Sequence, residues 1–518
     1  MPNSWLVPSS SLAAWVLLKA VVARYEQSQR RVEQQRQMVQ LAQRLETLHH
    51  RHRGLSNLPV ELMSEIFCFA TIPSWPYDWD DTVPPSSRHS GRGTQPFNLL
   101  RVCRRWRQIA LTTPELWATF NPRFPRHHPM VEILRISEEW LLRARNYPLS
   151  VNMEGFGREL LRCDPIIDLL HRHAPRVRSL KYWDLDSDDF EALNWHGNMD
   201  LARLEQLELG GDYYTGPLKV FGNAPRLREV LIQVNDEISL DQVNLPWAQI
   251  VDFTLHGATG QDTLTTLAMA AAVTRCNLRP TIHDPERDEI IAPLTHHSIQ
   301  HLTLLEASWE LENLEYDEDP NDFVWPTHLL DFLTMPALQT LEIIGHGVPS
   351  AGILWDFFER SQAPLRKLIL RHEEAKCIDL TSMEPFVLLN ELAELEISWP
   401  SRSFLELFSQ MFASSAKILP RLQTIVVDCA RPCEWPSRRS PWMTKDVVGE
   451  FSVILLKRCI VLGSADTLPL RSLRITTSED LDTISDELPG LALVIFLELK
   501  EKGMRVHIGT DSKERSIV

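Results

Sequence analysis

Cysteine and histidine are the natural starting point, because they supply most metal ligands and many nucleophiles and bases. The chain has 8 Cys, at positions 68, 103, 163, 276, 377, 429, 433 and 459, without a CxxC pair. Several stand inside apolar runs such as Glu65-Ile66-Phe67-Cys68-Phe69, and they read as small buried hydrophobes of a reducing compartment. Cys429 with Cys433 is the closest pair, and His296, His297 and His301 form the densest downstream histidine cluster. Neither has a zinc spacing, so no metal and no cofactor is expected. His49-His50-Arg51-His52 falls on a polar helical stretch and reads as solvated. A G-x-S-x-G elbow, an H-E-x-x-H helix and its H-x-x-E-H variant are absent, as are GxGxxG and GxxxxGK[ST]. Function is therefore sought in binding, and the chain is expected not to be an enzyme.

The elements that would position a binding surface have ample chain to draw on. The 518 residues correspond to about three domains at roughly 150 residues each. With 44% hydrophobic and 24% charged residues, the composition is that of a globular protein. Its oddities are 34 Pro against 20 Gly and 16 Trp against 7 Tyr. A net charge of -16 argues against nucleic acid as the partner of the whole chain. The apolar stretch Leu12 to Leu18 is broken by Lys19 and lacks the preceding basic region of a secretory signal. No run reaches the roughly 18 apolar residues of a membrane span, so no membrane partner is expected and the compartment is cytoplasmic, nuclear or both.

Residues 1–53 form an N-terminal helical segment in which 21–53 lack Gly and Pro, and Met38, Leu41, Leu45, Leu48, His52 and Leu55 recur at three and four. The functional reading of that seam is a short coiled coil giving weak self-association; the plainer one, which the Gln residues in the seam favour, is a solvated helix packed on its neighbour. Residues 54–120 hold two amphipathic patterns around a Pro-rich insert at 73–96. In the first, Asn57 can cap, Pro59 suits a first turn, and Leu62, Met63, Ile66, Phe67 and Ala70 share a face. In the second, Leu99, Val102, Cys103, Trp106, Ile109 and Ala110 recur as on one helix, with Arg101, Arg104, Arg105 and Arg107 on its remaining surface. So small a unit carries more apolar residues than its own core needs, which marks a protein-protein site or, on the plainer reading, a face docked on the next domain.

Leu58-Pro59-x-Glu61-Leu62-x-x-x-Ile66-Phe67, then Leu100-x-Val102-Cys103-Arg104-x-Trp106-Arg107-x-Ile109-Ala110 and Pro114-Glu115-Leu116-Trp117, closely resemble an F-box, in particular those abundant in mushroom-forming fungi. The resemblance implies a small all-α module of three helices that binds the Skp-type adaptor of a cullin ubiquitin ligase, through Leu58, Pro59, Leu62, Ile66, Phe67, Leu100, Val102, Cys103, Trp106, Leu116 and Trp117. The insert departs from the family pattern and lengthens the first connection.

Beyond a connecting helix and capping strand in 121–154, a pattern Φ-x-x-Φ-x-Φ begins at Val177, Leu204, Leu227, Ile250, Val273, Ile299, Leu338, Leu365, Leu392, Leu422 and Leu470. Composition alone would produce it roughly 44 times in the chain, but here eight of the ten intervals lie between 23 and 30 residues. The last interval, 48 residues, has room for one degenerate unit. Pro175, Pro225, Pro336, Pro364, Pro420 and Pro469 stand one or two places before a unit, where proline ends a helix and favours extended backbone. Each unit is therefore helix, proline turn and short strand, and such units must stack to bury their faces. The fold class is an α/β repeat over 155–503, with parallel strands inside, helices outside and a polar, frayed tail at 504–518. It resembles an irregular leucine-rich-repeat solenoid. The Asn or Cys that ties turns together in the regular family is present here only as Asn235, with Asp212, Ala258, Ala307, His346, Pro400 and Ala430 among its equivalents, so uneven curvature is expected, with an acidic excursion at 306–326.

Residues alternating with the apolar strand positions line the concave side: Glu208, Gln233, His256, Glu342, Arg371, Glu396, Ser398, Asp428 and Arg474. Their acidic bias suggests basic segments on a protein substrate; the plainer reading of any one of them is a solvated strand position. The combined reading is a non-catalytic substrate receptor of a Skp-cullin-F-box ligase; the alternative is a scaffold protein that works without the adaptor.

Overall fold

A computed structural model describes residues 58–71, 96–121, 130–153, 164–185, 187–195, 197–211, 216–234, 240, 243–280, 292–305, 328–345, 349–372, 382–414, 417–429, 444–461, 470–477, 490–501 and 503–509. The expectations for 1–53, for 73–95 of the insert and for the excursion at 306–326 lie outside them. Among these residues one unit comprises those up to Asp184 with Met199–Leu204, and a second those from Leu185 to Asn198 and from Glu205 onward.

The first unit opens with α1 (Val60–Ala70), whose N-cap is Pro59, then α2 (Pro96–Val102), α3 (Arg104–Thr112) and a 3-10 turn, Pro114–Trp117. The second predicted helix is in fact two. Cys103 adopts φ -157 and ψ 170, breaks the helix, and accepts a hydrogen bond from the Trp106 amide on Sγ at 3.4 Å. The four-residue spacing survives the break, which is why periodicity did not reveal it. Trp117 is wholly buried, donates Nε1–H to the Ala110 carbonyl at 2.9 Å, and meets Trp140 edge-on at 5.1 Å. Trp140 lies on α4 (Met130–Arg143), so this ring pair fixes the helical module to the connecting helix. Three parallel strands follow within the unit: β1 (Thr119–Phe120), β2 (Leu149–Met153) and β3 (Val177–Leu185), the last after α5 (Asp164–His173).

The second unit contains α6 (Ser187–Trp195), β4 (Gln206–Gly211), β5 (Glu229–Val234), β6 (Asp252–His256), α7 (Gly260–Met269), β7 (Arg275–Arg279), β8 (Leu294–Thr295), β9 (His301–Leu305), β10 (Leu333–Thr334) and β11 (Thr340–Gly345). It continues through α8 (Ala351–Ser361), β12 (Lys367–His372), β13 (Glu394–Ser398), α9 (Arg402–Ser414), β14 (Thr424–Cys429), α10 (Thr444–Val461), β15 (Ser472–Thr477), α11 (Gly490–Glu501) and β16 (Arg505–Gly509). Strands β4 to β7, β9 and β11 to β16 lie side by side in chain order and all run parallel, while β8 pairs with β10 apart. This is an α/β repeat with a large parallel sheet.

Every pattern start is buried. Ten of the eleven stand two residues before a strand, and Val177 is itself a strand's first residue. Not every crossover is an α-helix: 3-10 turns at Trp247–Gln249 and Glu384–Leu388 serve between β5 and β6 and between β12 and β13. The long last interval places no strand between β14 and β15, which pair directly; among its described residues the 18-residue α10 occupies it. The tail is also corrected. Residues 505–509 form β16 on β15, with Val506 and Ile508 in register with Leu473 and Ile475. Gly503, at φ +91, stands where the first apolar residue of that unit would be, so the apolar pattern misses it.

Backbone hydrogen bonds tie the turns before successive strands. The Arg228 carbonyl accepts the amides of both Val251 and Asp252; Val251 accepts from Thr274 and Arg275, Gln339 from Arg366 and Lys367, and Arg366 from Ala393 and Glu394. From β4 to β14 of the large sheet one carbonyl before the strand takes two successive N–H groups of the next unit, and that of Arg471 before β15 takes the Arg505 amide. These groups would otherwise be left unpaired at the turn.

His296 belongs to this architecture. It is 4% exposed, with Nε2 at 3.2 Å from the Ala270 carbonyl and Nδ1 accepting from the Ser298 amide at 3.4 Å. That pattern suits the neutral ring. Burial holds its pKa below the ordinary 6.5, and the His297 charge adds to this against the raising effect of the Ala270 hydrogen bond. The unfolded chain therefore takes up the proton first, so stability present above pH 6.5 is lost as pH falls through the folded value. In denaturant titrations at pH 7.5, 6.0 and 5.0, His296→Asn is expected to flatten the acid loss of stability; an unchanged slope would remove His296 as its source.

Candidate binding surfaces

The residues singled out on the helical module divide into two sets. Phe67 is 1% exposed, Leu116 4% and Trp117 0%; they form the module's own core and are not surface contacts. Phe67 packs on Trp106 with ring centroids 4.9 Å apart, and Ser64 and Thr113 share a hydroxyl hydrogen bond of 2.9 Å, so α1 is locked to α3 and the turn after it. Leu58, Leu62, Ile66, Leu100 and Trp106 are half-buried, while Pro59, Val102 and Cys103 are exposed. Arg105 donates to the Leu58 carbonyl and Arg107 to the Leu100 carbonyl at 2.8 Å, which gathers the start of α1 and the end of α2 around α3. Val60 and Phe69, 48% and 42% exposed, add apolar surface that the sequence pattern did not select. Among the described residues no carboxylate forms an ion pair with Arg101, Arg104, Arg105 or Arg107.

Cys68, on the same helix, is part-buried. Burial first, then the Glu115 charge and hydrogen bond and the Glu65 charge, push its pKa up to about 12, so it stands as a neutral thiol.

On the sheet, the parity from each pattern start holds throughout the second unit. Leu207, Val230, Phe253, Cys276, Leu302, Leu341, Leu368, Leu395, Ile425 and Leu473 are in register and buried. Parallel sheets are commonly covered on both faces; here the alternate positions are mostly half-exposed. Glu208, Gln233, His256, Glu342, Arg371, Glu396, Asp428 and Arg474 all occupy them, half-buried. Ser398 shares their parity but is 1% exposed, so it is not an open contact residue.

The expected acidic bias of this face is corrected by the full rows. Across the eleven strands they hold seven carboxylates (Glu208, Glu229, Asp252, Glu342, Glu394, Glu396, Asp428) and six Lys or Arg (Arg275, Arg279, Lys367, Arg371, Arg474, Arg505). Many of these pair across strands: Arg275 with Asp252 at 2.8 Å, Lys367 with Glu394 at 2.6 Å. The densest set centres on β12. Arg371 donates to Glu342 on β11 at 2.9 Å and to Glu396 on β13 at 2.5 Å, and Thr476 donates to Asp428 at 2.7 Å. Burial disfavours the Arg371 charge, but Glu396, through hydrogen bond and charge, followed by Glu342 and Asp428, outweighs it and raises the pKa. Ile344 and Val426 lie half-exposed on the same rows, four and six residues being the offsets from a pattern start at which such positions fall, and Ile369 shares the parity but is buried.

Among the described residues no three His, Cys, Asp or Glu are placed to hold a metal ion, and no helix is long and apolar enough to cross a membrane. No protein-family model and no curated protein matches the chain.

Proposed function

We propose that the chain is the substrate-recognition subunit of a Skp-cullin-F-box ubiquitin ligase, its helical module an F-box docking on the Skp-type adaptor and its repeat unit a leucine-rich-repeat solenoid holding a target protein. The observation that carries this reading is the apolar surface on α1 to α3, where Val102 is 58% exposed beside half-buried Leu58, Leu62, Ile66, Leu100 and Trp106. A module this small gains no stability from such exposure, and a partner that covers it would bury apolar area at roughly 25 cal/mol per Å². The arginines around it favour a partner of complementary, acidic surface and speed the encounter. The subunit performs no covalent step and needs no cofactor. It holds its target near a charged conjugating enzyme and so raises effective concentration, and it works in the cytoplasm or nucleus.

The test is co-purification of the full chain with a Skp-type adaptor and cullin. Leu58→Ala with Pro59→Ala is expected to abolish it, and Val102→Asp to weaken it at least tenfold, with melting of the repeat unit unchanged. Undiminished adaptor binding by both variants would remove the surface from this role. Absence of the adaptor together with self-association through 21–53 would establish the scaffold reading instead.

A further inference from the structure

We infer that the sheet face between β11 and β14 receives an arginine or lysine side chain of a partner protein, flanked there by aliphatic residues. The inference rests on the reading of this face as the target-binding surface, and it narrows that surface from eleven strands to four.

The charge balance of the face is uneven. Over β11 to β14, Glu342, Glu394, Glu396 and Asp428 stand against Lys367 and Arg371, an excess of two carboxylates that the face as a whole does not show. Glu394 is taken by Lys367. Glu342 and Glu396 share one guanidinium, and both ion pairs with Arg371 use Oε1. The second oxygen of Glu342 meets only the long 3.4 Å contact from Thr303, and that of Glu396 has no partner among the described residues. Two carboxylate oxygens therefore keep acceptor capacity at one place. They suit an added cationic donor, because an ionised carboxylate accepts but cannot donate.

A second observation is independent of the acidic cluster. Ser398 is 1% exposed and its Oγ has no hydrogen-bond partner among the described residues. By strand parity it faces the same way as Glu396, and its register partner is Asp428. Buried hydroxyls are ordinarily paired; this one, covered in the free chain, keeps acceptor capacity that an ammonium or guanidinium seated against Glu396 would satisfy. Half-buried Ile344 and Val426 border these residues and would contact the alkyl stem of such a side chain and its neighbours in the partner.

The experiment uses the full chain, with a phage-displayed library of random 12-residue peptides as probe. Selected peptides are expected to carry Arg or Lys beside Leu, Ile or Val. For one of them, measured by fluorescence anisotropy, replacing the basic residue by alanine is expected to weaken binding at least tenfold. So is Glu342→Gln with Glu396→Gln, which keeps side-chain size but leaves the Arg371 charge opposing the ligand. Val426→Lys, which alters the border without touching the ion pairs, should do the same, while Glu406→Gln on α9 should change binding less than twofold. A selection without basic enrichment, or Gln and Lys variants that bind within twofold of the parent, would overturn the inference. Adaptor co-purification of the same preparations separates the two readings: adaptor retained without basic preference removes only this inference, and basic preference without adaptor removes only the ligase role.

Discussion

Arg458→Ala is expected to cost about 3–5 kcal/mol and to loosen the last repeats while leaving the first ones intact. Arg458 is 1% exposed on α10. It donates to the Phe412 carbonyl at 2.6 Å and to the Ile418 carbonyl at 2.9 Å, and its guanidinium lies 4.3 Å from the Phe412 ring centre. Phe412 is in the last turn of α9, where helix carbonyls lack intrahelical partners and the dipole favours a cation. One side chain thus caps α9 and anchors the turn that leads into β14. Its removal leaves buried carbonyls unpaired, at about 1–3 kcal/mol each, in addition to the cavity. Arg458→Lys should cost less than alanine, yet still a substantial part, because an ammonium lacks the planar fork and the stacking face. Segment-resolved hydrogen exchange checks this: protection should fall in α9, β14 and α10 and persist in β4 to β7. Equal loss everywhere would mean that the repeats unfold as one cooperative block.

Trp117→Ala should be as severe for the helical module, at about 3–5 kcal/mol. The indole is wholly buried, its N–H is bonded to Ala110, and it contacts Phe97 at 5.4 Å, Trp140 at 5.1 Å and the Arg143 guanidinium at 4.7 Å. A unit of this size has little stability in reserve. Limited proteolysis should cut α1 to α3 in the variant while the repeat strands resist. Trp117→Phe retains the ring packing and loses the indole hydrogen bond, so it should cost about 1–2 kcal/mol and leave adaptor binding nearly unchanged. Strong loss of the proposed adaptor binding by a folded Trp117→Phe protein would instead restore Trp117 as a contact residue.

That distinction shows where sequence reasoning stopped. Phe67, Leu116 and Trp117 carry the same apolar signal as Leu58 and Val102, and an amphipathic pattern cannot tell a residue facing its own core from one awaiting a partner. The break at Cys103 was hidden because the four-residue spacing continued across it. β16 was hidden because Gly503 replaced the one residue by which the unit would be recognised. On the sheet, strand parity marks the polar alternates Glu342, Arg371 and Glu396, and the structure joins them; it marks Ser398 equally, yet Ser398 is buried, as is Ile369, while Ile344 and Val426 stay half-exposed.

The repeat itself needed no structure. Φ-x-x-Φ-x-Φ with proline before it specifies a turn and a strand whose alternate residues must leave water, and both are local properties of about six residues. Eleven such units at similar spacing leave stacking in chain order as the way to bury them all. What only the tertiary structure decided is which side chains meet. The partners of Arg371 are 25 and 29 residues away, and the Arg458 cap reaches across 46 and 40. These contacts depend on register and on the path of each crossover, which hydrophobic pattern leaves undetermined. Burial is written residue by residue, whereas pairing is written in the geometry between chain segments.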